Sequence, residues 1–259
     1  MGGRIAAVVT GAGSGLGRDV ALVLAARGCD VTIVDIDASA GESARRDCEA
    51  KGVTAHFIEA DLLASGAAER IVGRAMDLSG SIGILVNNAG YGAGEAFLEM
   101  KEATWDRTLG LNLRALAMMC SVAGREMARQ KSGRIVNITS PASRMALPNY
   151  TAYSASKAGV DAVTRAAAAA LAPHGVRVNS VSPGMMDTPM QRQTERQFAA
   201  LENRSDDFEA FLDERTRRIP IGRRLSTEEV AASVVWLALD APDYITAERI
   251  NASGGMDKD

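Results

Sequence analysis

In the stretch "YTAYSASKAG", Tyr150 to Gly159, Tyr153 stands four residues before Lys157. The segment reads as helical, and on a helix residues i and i+4 share a face. The spacing therefore sets a phenol beside an ammonium. A free phenol titrates near about 10, too high for proton transfer at neutral pH, and a neighbouring positive charge favours the phenolate. The pair could serve as a proton donor and its tuner. Tyr150 is a rival phenol, but its i+4 residue is Ser154, which brings no charge. It reads as a pocket wall or a structural residue.

A second constellation lies near the start of the chain. "VVTGAGSGLGRD" sets Gly11, Gly15 and Gly17, with Ser14 and Leu16 between them, after an apolar run and before a helical pattern. Glycines at such a turn let the backbone approach a pyrophosphate, and the helix N-terminus behind them favours negative charge. The next apolar run ends in Asp35, near the offset at which a carboxylate meets an adenosine ribose. That carboxylate can accept from both ribose hydroxyls and would repel a 2′-phosphate. No Lys or Arg occupies Ala12–Leu16 to offset the repulsion. The charges favour NAD over NADP. Asp37 reads as the cap of the following helix.

These residues need a scaffold. Strand-like runs at Ile5–Val9, Val31–Asp35, Val53–Asp61, Ile82–Asn88, Gly133–Ser140, Val176–Gly184 and Arg249–Ser253 alternate with longer helical patterns. The helical stretches include Gly15–Arg27, Lys101–Gln130 and Tyr150–Ala172. Apolar runs joined by helices predict βαβ units and an α/β fold: a Rossmann doubly wound parallel sheet of about seven strands, helices on both faces. No linker or repeat breaks the chain, so residues 1–259 read as one domain. "RAAAAALA", Arg165 to Ala172, predicts a tightly packed helix in the core or at a subunit interface.

Bulk composition narrows the function classes. The chain has 259 residues, a net charge of -3 and 4% aromatic residues. Neither a nucleic-acid surface nor a stacking platform is expected. Three scattered cysteines argue against a disulfide framework and for a cytoplasmic setting. His56 and His174 lack ligand-like spacing, so no metal site is expected. The N-terminal apolar run is too short for a signal peptide or a membrane span, and Ala6 stands where an acylation signal needs Ser or Thr.

Together with "ADL" (Ala60–Leu62), "NNAG" (Asn87–Gly90), Asn112 in "LGLNL", Ser140 at the end of "GRIVNITS" and "PGMMDTPM", these features run in one order from Thr10 to Gly255. In that order the chain resembles the short-chain dehydrogenase/reductase family of the single-Rossmann-domain type. Ser140 precedes Tyr153 by thirteen residues, the family's spacing for its catalytic serine, whereas Ser143 lacks it. The resemblance implies hydride transfer between a nicotinamide cofactor and an alcohol or ketone. It implies Tyr153 as acid/base, its pKa lowered by about three units, or roughly 4 kcal/mol, by Lys157 and oxidised nicotinamide. Lys157 would also bond the nicotinamide ribose. Ser140 would hold the substrate oxygen, and Asn112 would order a water chain to Lys157.

The remaining cofactor contacts follow the same resemblance. Asp61 and Leu62 would flank adenine, and Asn88, Ala89 and Gly90 would line the groove. Pro183, Gly184, Met186 and Thr188 would cover the nicotinamide end. A polar, helix-rich lid over about residues 185–224 is similar to that of polyol, sugar and vicinal-diol dehydrogenases. Tyr91, Ala142, Leu147 and Met185 are the expected substrate walls. Arg215, Arg217, Arg218, Arg223 and Arg224 could meet an anionic substrate, but ion pairing at the surface or between subunits is the plainer reading. A 3-oxoacyl-thioester (acyl-carrier-protein) reductase is the alternative enzyme, though Asp35 speaks against its usual NADP. A non-catalytic NAD-binding module is the alternative of another class. Ala247 stands where relatives often carry glycine, Asn251-Ala252-Ser253 departs from the usual run before the glycines, and Pro141 follows Ser140 directly. Family assembly implies a homotetramer with 222 symmetry.

Overall fold

The computed structural model describes residues 4–256. Positions 1–3, which include part of the acylation reading, and 257–259 lie outside the described residues.

The apolar runs become β1 (Ala6–Thr10), β2 (Asp30–Asp35), β3 (Ala55–Glu59), β4 (Ile84–Asn87), β5 (Gly133–Ile138), β6 (Val176–Pro183) and β7 (Arg249–Ala252). They pair in parallel in the order β3-β2-β1-β4-β5-β6-β7. Every residue of β1 is buried, because helices cover both faces of the sheet. Successive strand residues point to opposite faces, and the core divides accordingly. Val9 and Ile33 pack with Val20 and Leu24 of α1 (Gly15–Ala26) and with Val230 and Val234 of α9 (Thr227–Val235). Val8, Leu85 and Ile135 pack with Ile71 of α3 (Ala67–Ser79), Met119 of α5 (Leu116–Gln130) and Val160 of α6 (Thr151–Leu171). The chain order reverses between β1 and β4, and doubly wound sheets bind ligands at such a switch point.

The long helix expected from Lys101 to Gln130 is interrupted. A π-helical segment, Gly110–Ala115, separates α4 (Glu102–Leu109) from α5. It carries Asn112, which is buried. Asp37 caps α2 (Ala38–Glu49) as expected, accepting from the Ala40 N–H at 3.0 Å.

Residues 185–224, expected to form a lid, contain α7 (Pro189–Leu201) and α8 (Phe208–Arg217). Thr188 caps α7, with its Oγ1 accepting from the Gln191 N–H at 3.2 Å, and Pro189 pre-sets the first turn. Phe198, Ala199, Phe211 and Leu212 form a small core of their own, against which Tyr150 packs. Of the Ala166–Ala170 run only Ala168 is buried, so one stripe of α6 meets the core and most of the alanines stay open. Among the described residues no helix is long and apolar enough to cross a membrane.

Candidate active site

The glycine loop leaves β1 and turns into α1. Gly11 and Gly15 have φ of +64° and +52°, values that strain a side-chain-bearing residue. Gly17 is needed for close packing instead, since a Cβ there would stand 2.1 Å from the Gly11 carbonyl oxygen. Ser14 precedes α1 without a side-chain bond to the first-turn N–H groups, an arrangement that leaves those donors for an anion. Asn88 fastens the loop to β4, its Nδ2 donating to the Thr10 and Gly11 carbonyls at 3.1 and 3.0 Å.

Asp35 is fixed at the far end of this loop. Its Oδ2 accepts from the Gly13 N–H at 2.8 Å and its Oδ1 from the Asp37 N–H at 3.0 Å. The carboxylate thus serves the turn as well as facing a groove of about 410 Å³. That groove is lined by Gly11, Ser14, Gly15, Leu16, Asp61 and Leu62, then by Asn88, Ala89 and Gly90. It continues to Ser140, Tyr153 and Lys157 and closes over Pro183, Gly184, Met186 and Thr188. Sixteen of the cofactor-side positions chosen from the sequence therefore share one surface, and Gly17 supports it from beneath. The glycine backbone, the helix terminus and the carboxylate fit an adenine dinucleotide.

At the other end, Tyr153 shares a side-chain hydrogen bond with Ser140. Ser140 lies two residues past the end of β5 and caps a short 3₁₀ turn, Pro141–Ser143, with its Oγ accepting from the Ala142 N–H at 3.2 Å. Pro141 thus starts a turn that aims the serine. Lys157 Nζ lies 5.5 Å from the Tyr153 ring centroid and donates to the Ile138 carbonyl at 2.8 Å. Asn112 braces the Tyr91 backbone, accepting its N–H at 2.7 Å and donating to its carbonyl at 2.8 Å. It also donates to Ser156 Oγ at 3.0 Å. Extra residues in a helical turn often mark functional sites, and here the π segment carries this amide.

The electrostatics differ from the expected fall in the tyrosine's pKa. Burial pushes the Tyr153 phenol up to about 12, and the Ser140 hydrogen bond only partly opposes it. Burial likewise pushes Lys157 down to about 8, with the Asp161 carboxylate opposing. A dry cleft disfavours both charged forms. In the protein by itself Tyr153 is a neutral phenol, the form that donates a proton.

Toward Tyr153 the groove is walled by Tyr150, Met190, Gln191 and Arg107, and Tyr91, Ala142, Leu147 and Met185 are not among the residues lining it. Tyr91 instead lies under the Arg107 guanidinium, 4.4 Å from its ring centroid. Ala142 is buried in the 3₁₀ turn. The Leu147 and Met185 carbonyls hold the Tyr150 and Leu225 N–H groups. Tyr150, which the sequence offers as a pocket wall or a structural residue, sits three residues before Tyr153 and lines the groove. Gln191 had a signal in the sequence, in the first turn after the Thr188-Pro189 helix start. Four of the five arginines form ion pairs within this chain, two of them with a buried carboxylate rather than at the surface. Arg224 and Arg215 meet Glu195, Arg218 meets Glu214 and Arg223 meets Glu229.

Comparison with known proteins agrees with this geometry. The profile of the family described as "short chain dehydrogenase" matches residues 5–198. The chain is 34% identical over 251 residues to the 3-oxoacyl-(acyl-carrier-protein) reductase FabG of Staphylococcus epidermidis, covering 96% of this chain and 98% of that one. Among solved structures, an NAD+-bound xylitol dehydrogenase superposes with a TM-score of 0.93 at 30% identity, covering 97% of this chain and 98% of the other. An actinorhodin polyketide ketoreductase with NADPH gives a TM-score of 0.93 at 30% identity, over 98% and 97%.

Proposed function

The chain belongs to the short-chain dehydrogenase family, and on that premise we propose that it uses NAD to interconvert a secondary alcohol, of polyol, sugar or vicinal-diol type, with its ketone. That it is an oxidoreductase of CH–OH and C=O groups follows from the family. The observation that supports NAD-linked chemistry is the continuous groove running from the Asp35 carboxylate to Ser140, Tyr153 and Lys157, and the polyol part is supported by the likeness to the NAD+-bound xylitol dehydrogenase. A nicotinamide cofactor held in this groove would supply the hydride acceptor for the carbinol carbon, or the hydride donor for the carbonyl carbon.

The chain supplies position and the proton. Ser140 donates to the substrate oxygen and holds it beside the Tyr153 hydroxyl. In reduction Tyr153 gives its proton to that oxygen as the C–O double bond opens. In oxidation its phenolate takes the proton back, and positive charge gathered beside it offsets the cost of burial. Lys157 supplies part of that charge and bonds the nicotinamide ribose. Asn112 orders the proton path behind it. Gly11, Gly15 and the start of α1 hold the pyrophosphate, and Asp35 takes the adenosine ribose hydroxyls.

A second reading has its own support, since the FabG relative is named as a 3-oxoacyl-(acyl-carrier-protein) reductase. The fixed Asp35 carboxylate weighs against the 2′-phosphate of NADP. We place the enzyme in the cytoplasm as a homotetramer. Its three cysteines are free and buried, and Met118 on α5 and most of the α6 alanines are open to a neighbouring subunit. The test is turnover on polyols, vicinal diols, cyclic alcohols and acetoacetyl-CoA, each with NAD(H) and NADP(H). Turnover of an alcohol with NAD supports the proposal. Reaction of the thioester alone, or preference for NADP(H), overturns it.

A further inference from the structure

Behind Ser140, away from the groove, lies a second polar cluster that the mechanism above does not use. Arg249 of β7 reaches across the sheet edge. One terminal nitrogen donates to Asp161 Oδ2 at 3.2 Å and to Ser143 Oγ at 3.0 Å. The other donates to the Ser140 carbonyl at 3.1 Å and to Ser182 Oγ at 2.8 Å. Ser143 in turn donates to Asp161 Oδ2 at 2.7 Å. The side chains of Arg249 and Asp161 are only 9% and 10% exposed. One guanidinium thus binds the turn after β5, the end of β6 and one turn of α6. A planar fork suits this, since its donors are fixed relative to one another.

We propose that Arg249, locked in place by Asp161, is a positioning residue that holds the Ser140 backbone so that its hydroxyl meets Tyr153. The geometry leaves little slack. The Ser140 carbonyl is held from behind by Arg249, its Oγ accepts from Ala142, and the same side chain bonds Tyr153. Pro141 follows directly and brings no N–H of its own, while the Ser143 N–H donates to the same Ser140 carbonyl at 3.1 Å. Asp161 lies one helical turn after Lys157, so the pair stands behind two members of the site. This also accounts for Ser143, the serine with the wrong spacing: it belongs to the cluster and not to the groove.

This inference rests on the proposed oxidoreductase chemistry but not on the choice of substrate. Turnover is measured with 2,3-butanediol and NAD, or with acetoacetyl-CoA and NADPH if the diol reading fails. Rates are expressed per cofactor-binding site, titrated by fluorescence, so that only folded enzyme counts. Arg249→Met should lower kcat roughly 10- to 100-fold, the loss that a small misplacement of a catalytic group produces. Cofactor Kd should stay within about twofold, because positioning acts on Ser140 and not on the dinucleotide end. Arg249→Lys keeps the charge but not the fork, and should remain several-fold impaired while folding normally. In a Ser140→Ala background the Arg249→Met loss should shrink below about threefold, as it must if the two act together. Unchanged kcat per binding site in both variants overturns the proposal. So does an equal loss with and without Ser140, or failure of both variants to fold, since each makes the pair merely structural.

Discussion

The Tyr150 ring stacks on the Tyr153 ring, with centroids 4.2 Å apart and planes 15° from parallel. Tyr150 also meets Phe198 of α7 edge-on at 5.1 Å. α7 and the proposed acid/base residue are therefore coupled through one phenol ring. Gly92 permits the arrangement, since a Cβ there would stand 2.2 Å from the Tyr150 hydroxyl. Tyr150→Phe keeps the stack and should leave kcat within about threefold. Tyr150→Ala removes it, and loosened orientation of Tyr153 should cost roughly 10- to 100-fold in kcat. Steady-state kinetics on the two variants check this.

Helix α7 is pinned by a buried charge. Glu195 on α7 is fully buried and accepts from Arg224 through two hydrogen bonds of 2.9 and 3.0 Å. Arg215 stands 3.5 Å away, and Gln191 of the groove wall donates to the same carboxylate at 3.3 Å. Arg224→Met leaves that charge short of its main partner, which should destabilise the protein by about 3 kcal/mol. Calorimetry should show a clearly lower Tm, and Glu195→Gln in the same chain should recover part of it.

Ala247 has φ of +66°, in the region where a Cβ costs roughly 1–2 kcal/mol. Its N–H is held to the Val178 carbonyl at 2.8 Å, so pairing with β6 fixes the strained backbone. Ala247→Gly relieves the strain, less the added freedom of the unfolded chain. A gain of about 0.5–1 kcal/mol in urea unfolding is expected.

Lys157 titrates at about 8 when folded, against an ordinary 10.5. Between those values the folded chain has released a proton that the unfolded chain still binds. The penalty of burying Lys157 is thus greatest below about pH 8, and stability at this position rises with pH toward 10.5. Tyr153 acts in the opposite sense between 10 and about 12, where the folded chain keeps a proton that the unfolded chain loses. Lys157→Met should raise stability at pH 7 by roughly 1–2 kcal/mol, after the lost bond to Ile138 is deducted. It should also flatten the rise between about pH 8 and 10. Unfolding at pH 7, 9 and 10 checks the slope.

Local signals carried most of the scaffold and the cofactor side. Alternating apolar runs, the glycine loop and Asp35 lie within single βα units, so their spacing fixes their positions. Asn112 was legible as a residue but not as part of a π segment, because "LGLNL" reads as ordinary helix and only contact with Tyr91 reveals the difference. Side-chain direction at the groove is not legible in the same way. Tyr91 and Met185 lie near the groove in sequence, but their side chains are not among those that line it. Glu195 and Arg224, and Asp161 and Arg249, meet across 29 and 88 residues, separations that no local pattern encodes. The pKa of Tyr153 depends on burial, which spacing does not state.

The account rests on Tyr153 as the group that moves the proton. Tyr153→Phe keeps the stacked ring and the groove and removes only the hydroxyl. Cofactor binding, followed by quenching of protein fluorescence, and turnover of the best substrate are measured on the same sample. The account predicts NAD affinity within about threefold of the parent and turnover reduced at least about a thousandfold. Turnover within tenfold of the parent, at unchanged NAD affinity, would contradict it.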